Sequence, residues 1–407
     1  MKCRHCQSEL TLPMLDLGAT PPSNAYLTKQ SLQEAEKYFP LRVLVCTHCW
    51  LVQTDDYAKY DDLFNHEYAY FSSTSSSWVS HAAKYAEMII CDLQLDKNSL
   101  VIEVASNDGY MLKNFVAAKI PCLGIEPTAS TADAAAKLGI PVLREFFGEK
   151  LGIQLSATNR LADLIIGNNV FAHVPDINDF TLGLKSALKQ GGTITLEFPH
   201  LMKLLEFTQF DTVYHEHFSY LSLYSVNLIL KAAGLRIQNI EELPTHGGSL
   251  RIYACHSEDS RQTSQYVDEM LAEEERRGLQ SAAVYSDFQA KANRIKDDLL
   301  EFLIEKKREG KKVAAYGAAA KGNTLLNYAG VKSDLLAFVC DAAPAKQGKF
   351  LPGSRIPICA PSILQQQRPD YLIILPWNIL DEIKNQNAEL FELGTRFVTA
   401  VPNLKIE

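Results

Sequence analysis

One stretch, Leu100-Val101-Ile102-Glu103-Val104-Ala105-Ser106-Asn107-Asp108-Gly109-Tyr110-Met111-Leu112-Lys113, constrains this chain more than any other. An apolar run short enough for a buried parallel strand ends at Ser106-Asn107-Asp108-Gly109, residues that favour a tight turn. Apolar residues then resume at helical spacing through Met111, Leu112 and Phe115. The pattern predicts strand, turn and helix, the opening of an α/β sheet whose ligand crevice lies beyond the carboxyl ends of its strands. Gly109 there would let the backbone approach a bound group closely.

The turn is not built for phosphate. It carries neither GxGxxG nor GxxxxGK[ST], and Glu103 inside the strand with Asp108 at its tip suits a cationic or polyhydroxyl ligand. A second strand, Cys122-Leu123-Gly124-Ile125, ends on Glu126, placed about twenty positions past the turn to accept hydrogen bonds from ribose hydroxyls. Adenosine without phosphates plus a positive sulfonium is S-adenosylmethionine (SAM), with Glu103, Ser106, Asn107, Asp108, Gly109, Glu126 and Asn168 as its candidate contacts. An ordinary βαβ unit with an acidic strand end is the plainer alternative.

At 407 residues two or three domains are expected. No apolar run is long enough for a membrane span and no leader is evident, which predicts a cytoplasmic protein. A net charge of −8 argues against general nucleic-acid or membrane affinity. The residues carry no direct signal of oligomeric state, and a monomer is the default expectation.

Four of the nine cysteines form two pairs, Cys3-Arg4-His5-Cys6 and Cys46-Thr47-His48-Cys49. Two CxxC knuckles on one short module place four thiolates for tetrahedral Zn²⁺, a closed site that holds structure and does no chemistry. His5 and His48 read as bystanders. A redox CxxC would open a helix in a thioredoxin-like unit, and none is present. The other cysteines read as buried small hydrophobes in a reducing compartment.

Phe39 to Val45 is strand-like, and the aromatic run Phe64 to Phe71 favours core, with a flap over the cofactor as the alternative. A helix is expected from about Trp78 to Cys91. Ile140 to Leu143 and Ala162 to Gly167 read as further strands, the latter leading into the polar loop Asn168 to Pro175. A helix ending at Gln190-Gly191-Gly192 and a strand from Thr193 to Pro199 close the doubly wound sheet.

Val213-Tyr214-His215-Glu216-His217-Phe218-Ser219-Tyr220 supplies a base, an orienting acid and neutral donors in eight residues. It is not HExxH, so a catalytic metal is the weaker reading, and histidines satisfied in a polar loop are the bland one. His246-Gly247-Gly248-Ser249-Leu250-Arg251 reads as a glycine turn entering a last strand, with Arg251 available to an anion. Ser257 to Glu309 reads as a linker of one or two helices with a solvated charged face.

A third unit begins at Lys312 and repeats strand, glycine turn and helix through Gly317, Lys321 and Asn323, with a second strand, Leu336 to Cys340, ending on Asp341. Lys346, Lys349 and Arg355 follow in one glycine-containing loop. Cations beside exposed backbone N–H groups are what a diphosphate requires.

Assembled, these pieces resemble the SAM-dependent nucleotide-sugar C-methyltransferases that methylate C3 of 4-keto deoxysugars. The resemblance runs nearly end to end, through the paired knuckles, the Glu103-to-Gly109 turn, Tyr214 to His217, His246 to Arg251, Tyr316 to Asn323 and Lys346 to Arg355. It implies an α/β chain with a small N-terminal zinc-binding domain (1–75), a central class I SAM-methyltransferase Rossmann-like domain (76–256), a helical linker (257–309) and a C-terminal Rossmann-like domain (310–407) that helps hold the nucleotide sugar. The substrate side would then draw on His246, Ser249, Arg251, Lys321, Asn323, Lys346, Lys349 and Arg355.

The resemblance also implies catalytic roles for Tyr68, His173, Tyr214, Glu216 and His217. His217 would remove the C3 proton, Glu216 would hold its tautomer, and Tyr214, His173 and Tyr68 would stabilise the enolate oxygen. The competing classes are an O- or N-methyltransferase on the same SAM domain, and a zinc-ribbon binding protein with a degenerate nucleotide domain.

Overall fold

The computed structural model describes residues 1–55 and 71–407. Val101–Val104, the VIEV strand β4, is buried along its whole length, as a strand covered on both faces must be. It lies mid-sheet among β5 (Cys122–Ile125), β6 (Val142–Leu143), β7 (Ala162–Asn168), β8 (Leu188–Pro199), β10 (Leu235–Leu243) and β11 (Ser249–His256). The order is β10-β11-β8-β7-β4-β5-β6, parallel from β6 to β8 and antiparallel through β11. Strand order reverses between β4 and β7, so a crevice opens at their carboxyl ends.

A helix at Ser76–Asp92 flanks this sheet. Ser75 caps it by accepting from the Trp78 N–H, and Ala82, Tyr85, Ala86 and Ile89 form its buried stripe. The helix expected to run to Gln190-Gly191-Gly192 instead stops at Ala187. The strand has already started at Leu188, and Gly191 takes φ +79° within it.

The N-terminal sheet has the order β1-β2-β3-β9, from β1 (Leu12–Thr20), β2 (Phe39–Val45), β3 (Val52–Thr54) and β9 (Ser219–Tyr220). β9 comes from far along the chain, after β8. Val52 pairs with Tyr220 and Gln53 with Ser219, so the segment just before β9 is clamped to the zinc module.

The third sheet, β14-β13-β12-β15-β16-β17, is parallel except for its last strand. Its strands are β12 (Val313–Tyr316), β13 (Val339–Cys340), β14 (Ile358–Cys359), β15 (Tyr371–Ile374), β16 (Arg396–Thr399) and β17 (Lys405–Ile406). The strand expected from Leu336 is confined to Val339 and Cys340. Order reverses here between β12 and β15, which places Gly317 to Lys321 and Pro376 to Asn378 at a second crevice.

Residues 257–309 are not a free linker. Helices Gln265–Arg276, Ala282–Ser286 and Phe288–Arg308 bury Val267, Met270, Tyr285, Phe288, Ile295, Leu299 and Phe302. Glu274, fully buried, accepts from His200 Nε2 at 2.6 Å and from the backbone N–H groups of Leu223 and Tyr224 at 2.6 and 2.9 Å, capping the helix Leu223–Ala232. Among the described residues no helix is long and apolar enough to cross a membrane.

Candidate active site

The turn after β4 is drawn tight by left-handed backbone at Ala105 (φ +56°), Asn107 (+50°) and Gly109 (+80°). A Cβ on Gly109 would sit 2.4 Å from Ile140 Cδ1, so close packing as well as φ demands glycine there. Glu126 accepts from the Asn107 N–H at 3.0 Å and the Thr128 N–H at 2.9 Å, fixing its carboxylate at the strand end. Asn107 Oδ1 and Asp108 Oδ2 accept from the backbone N–H groups of Ser72 and Ser73, each at 3.0 Å, tying the turn to the entry of helix Ser76–Asp92.

What remains is a cluster of unmet buried polar atoms. Glu103 Oε2, Asp108 Oδ1, Ser106 Oγ and both polar atoms of Asn168 are buried without partners. Burial, with Glu126 and Asp108 beside it, raises the Glu103 carboxyl well above the ordinary range. Crowded acidic groups with free acceptors fit a sulfonium, whose positive charge would favour the ionised Glu103, and an amide with free donor and acceptor fits the rest of a SAM molecule.

The catalytic candidates gather across the crevice. His217 Nδ1 lies 2.8 Å from the Thr212 carbonyl, which can only accept, so Nδ1 carries the proton and Nε2 is the basic nitrogen. The Tyr214 and His173 rings lie 3.9 and 4.6 Å from it, centroid to centroid. Burial holds His217 well below the usual imidazole range and brings His173 to about 4. Glu216 is 1% exposed, accepts from Asn24 Nδ2 at 3.1 Å, and is pushed up to about 7 by burial. Tyr68 lies outside the described residues.

His246, in left-handed backbone at φ +54°, takes a hydrogen bond at Nε2 from Asn169 Nδ2 at 3.0 Å. Burial depresses its titration to about 4. Trp78 stands 5.3 Å from the His246 ring and 6.0 Å from that of Tyr110, bridging the turn before β11 and the turn after β4. Gly247 packs under Trp377, where a Cβ would fall 2.4 Å from the indole. Trp377 Nε1 donates to Asp211 at 2.7 Å, and its face carries the Lys321 ammonium at 4.6 Å. Lys321 also donates to Asn378 Oδ1 at 2.9 Å, and burial lowers it to about 8. The two crevices therefore face each other.

Arg251 is not available to an anion. Its Nη1 meets Glu241 and its Nη2 meets Glu197, each at 2.8 Å, while its guanidinium stacks 4.3 Å above Tyr85. Buried in the sheet, it neutralises Glu197, whose oxygens also lie 2.9 and 3.1 Å from His81 Nε2. Ser249 Oγ donates to the Thr245 carbonyl and holds the turn. Asn323 is buried and donates to the Ser23 carbonyl at 2.6 Å, leaving Oδ1 unpartnered. Lys346 donates to the Ala318 carbonyl at 2.9 Å and pairs with Asp341 at 3.3 Å. Arg355 pairs with Glu36 at 3.5 Å at the seam with the N-terminal module. Lys349 is half-buried close by. Asn24, Trp78, His81, Asp211 and Trp377 escaped sequence reasoning.

Cys3, Cys6, Cys46 and Cys49 bring their four sulfurs within 4.8 Å of one another. Tetrahedral zinc with Zn–S of about 2.3 Å needs sulfurs about 3.8 Å apart, which these match. Gln53 Nε2 donates to Cys3 Sγ at 3.3 Å, favouring its thiolate. His5 turns away to Asn178 at 2.8 Å, a contact that docks the module on the methyltransferase domain.

Comparison with known proteins places the chain in a family. Residues 3–64 match a zinc binding domain, 80–240 a methyltransferase domain, and 244–402 the C-methyltransferase C-terminal domain. The chain is a SAM-dependent methyltransferase with a structural zinc module. At 34% identity over 405 residues, covering 100% of this chain and 96% of its relative, it belongs to the family of the C-methyltransferase NovU from Streptomyces niveus. Among solved structures, a SAM-dependent methyltransferase from Clostridium acetobutylicum covers 44% of this chain and 92% of its own, at 11% identity and a TM-score of 0.34. The magnesium protoporphyrin IX methyltransferase of Synechocystis covers 44% and 83%, at 13% and 0.34.

Proposed function

We propose that the acceptor is a nucleotide-diphosphate-linked 4-keto-deoxysugar and that the methyl goes to C3, beside the ketone. The observation that carries this reading is the His217 imidazole, which is neutral, has Nδ1–H committed to Thr212, and so offers a basic Nε2 within a buried polar cluster. A hydroxyl acceptor can also use such a base, but it already carries a lone pair, whereas carbon beside a ketone acquires one only by losing its proton. SAM, when bound, supplies an electrophilic methyl on a sulfonium.

His217 Nε2 takes the C3 proton. The ketone oxygen gathers negative charge, which Tyr214, His173 and the Lys321 ammonium are placed to meet, with Tyr68 a further candidate. Glu103, Asp108, Glu126 and Asn168 hold the cofactor, and proximity of donor and acceptor supplies much of the rate. Asn323, Lys346 and Lys349, around the carboxyl end of the third sheet, are the candidate contacts of the nucleotide diphosphate.

The test is a panel of thymidine- and guanosine-diphosphate-linked 4-keto-6-deoxyhexoses incubated with SAM, with products read by mass spectrometry and proton NMR. A gain of one methylene unit with loss of the C3–H resonance is expected. Methylation at oxygen, or no turnover with any member, would overturn the proposal.

A further inference from the structure

Residues 21–26, between β1 and β2, belong to the zinc module by sequence yet are anchored to the other two domains. The Ser23 carbonyl accepts from Asn323 Nδ2 at 2.6 Å, and Tyr26 Oη donates to the Ala318 carbonyl at 2.6 Å, both in the C-terminal domain. Thr324 Oγ1 in turn donates to the Val213 carbonyl at 2.8 Å, next to the catalytic segment. Between these anchors Asn24 Nδ2 donates to Glu216 Oε1 at 3.1 Å.

Glu216 needs that donor. It is buried, its Oε2 has no partner, and among the described residues no lysine or arginine pairs with it. The titratable groups around it are the Tyr26 and Tyr220 hydroxyls, both kept protonated by burial, and His173, His215 and His217, all kept neutral by burial. Only the Asn24 amide and the residue's own backbone N–H favour its ionised form. A buried carboxylate with so little support is costly to keep, and one oxygen left bare is an oxygen directed at something other than the protein.

We propose that Asn24, although carried by the zinc module, is a positioning residue of the methyl-transfer centre: its carboxamide holds one Glu216 oxygen so that the other faces the acceptor. The proposal rests on the function proposed above and takes Glu216, whose expected hold on the His217 tautomer falls instead to the Thr212 carbonyl, as a group that faces the acceptor. The zinc module thereby contributes to chemistry as well as to fold.

The test uses the panel member that turns over fastest and the zinc-loaded full chain, with Asn24→Ala, Asn24→Gln, Glu216→Gln and the Asn24→Ala/Glu216→Gln double variant. Losing a hydrogen bond to a charged group predicts that Asn24→Ala lowers kcat about tenfold, with the KM for SAM unchanged. The acid limb of its kcat/KM profile should move about one pH unit upward, because the ionised carboxylate has lost its donor. Asn24→Gln, which keeps an amide, should recover part of both. The double variant should be no slower than Glu216→Gln alone, since the two residues act as a unit. Losses that multiply in the double variant, or an unmoved acid limb, would overturn the proposal even if Asn24→Ala were slow or poorly folded. A fully active Glu216→Gln would instead remove Glu216 from the reaction.

Discussion

Glu216 makes a sharp prediction about stability. Burial raises this carboxyl from an ordinary 4.5 to about 7, so between those values the folded chain holds a proton the unfolded chain has released. The native state binds more protons there, so stability falls as pH rises, and the whole loss is in place above the folded value. Summing the two titrations gives a penalty of ~1 kcal/mol at pH 5.5 and ~3 kcal/mol at pH 8.5. Glu216→Gln removes it at both, and should therefore gain ~2 kcal/mol more at pH 8.5 than at pH 5.5. For a cooperative unit the size of the methyltransferase domain that is an extra ~4–8 °C in Tm. The glutamine also places an N–H₂ group where Oε2 had no partner, but this cost does not vary with pH and cancels in the comparison. Differential scanning calorimetry of wild type and variant at the two pH values, without ligand, measures it. Equal shifts at both, or a smaller one at pH 8.5, would refute a proton held on Glu216 by burial.

Three further outcomes follow from the same geometry. Chelating the zinc or replacing Cys46 with Ser should unfold the N-terminal module and, because β9 pairs with β3, reduce methyl transfer at least ~10-fold; metal analysis beside activity checks this, and a fully active metal-free protein would contradict it. Gly109→Ala, with φ +80° and a 2.4 Å approach to Ile140, should weaken SAM binding at least ~10-fold by calorimetry, while Gly330→Ala, with φ +67° and open space around it, should cost only ~1 kcal/mol of stability and leave SAM binding unchanged. Lys321, lowered to about 8 by burial, loses its charge as pH rises through that value, so kcat/KM should fall on the alkaline side near pH 8. Lys321→Met should abolish that limb and cost ~10–100-fold in rate, and a limb that persists in the variant would assign it to another group.

Much of this molecule is legible along the chain because local signals carry it. The VIEV strand with its Ser-Asn-Asp-Gly turn, the strand ending on Glu126, and the paired CxxC knuckles all form where spacing and turn chemistry place them. So do the glycine turns at 246–248 and 317–322. What could not be read depends on residues that meet only through the fold. Arg251 looks free beside a glycine turn, yet its partner Glu197 lies 54 positions away on the neighbouring strand. The 257–309 stretch looks solvated because its apolar residues are sparse, but Glu274 is spent on capping another helix. Two residues at 219–220 are too short a strand to announce that they join the zinc module's sheet. Asn24, Asp211 and Trp377 become site residues only because three domains converge.

The central claim is that an unprotonated His217 Nε2 takes hydrogen from carbon beside a ketone. Proton NMR of the accepted 4-keto nucleotide sugar in deuterated water, with S-adenosylhomocysteine in place of SAM, observes that step without methyl transfer. Wild type should wash out the C3–H signal while His217→Asn, folded and binding SAM normally, leaves it intact. Exchange at the wild-type rate in His217→Asn would contradict the account and give the base's role to another residue.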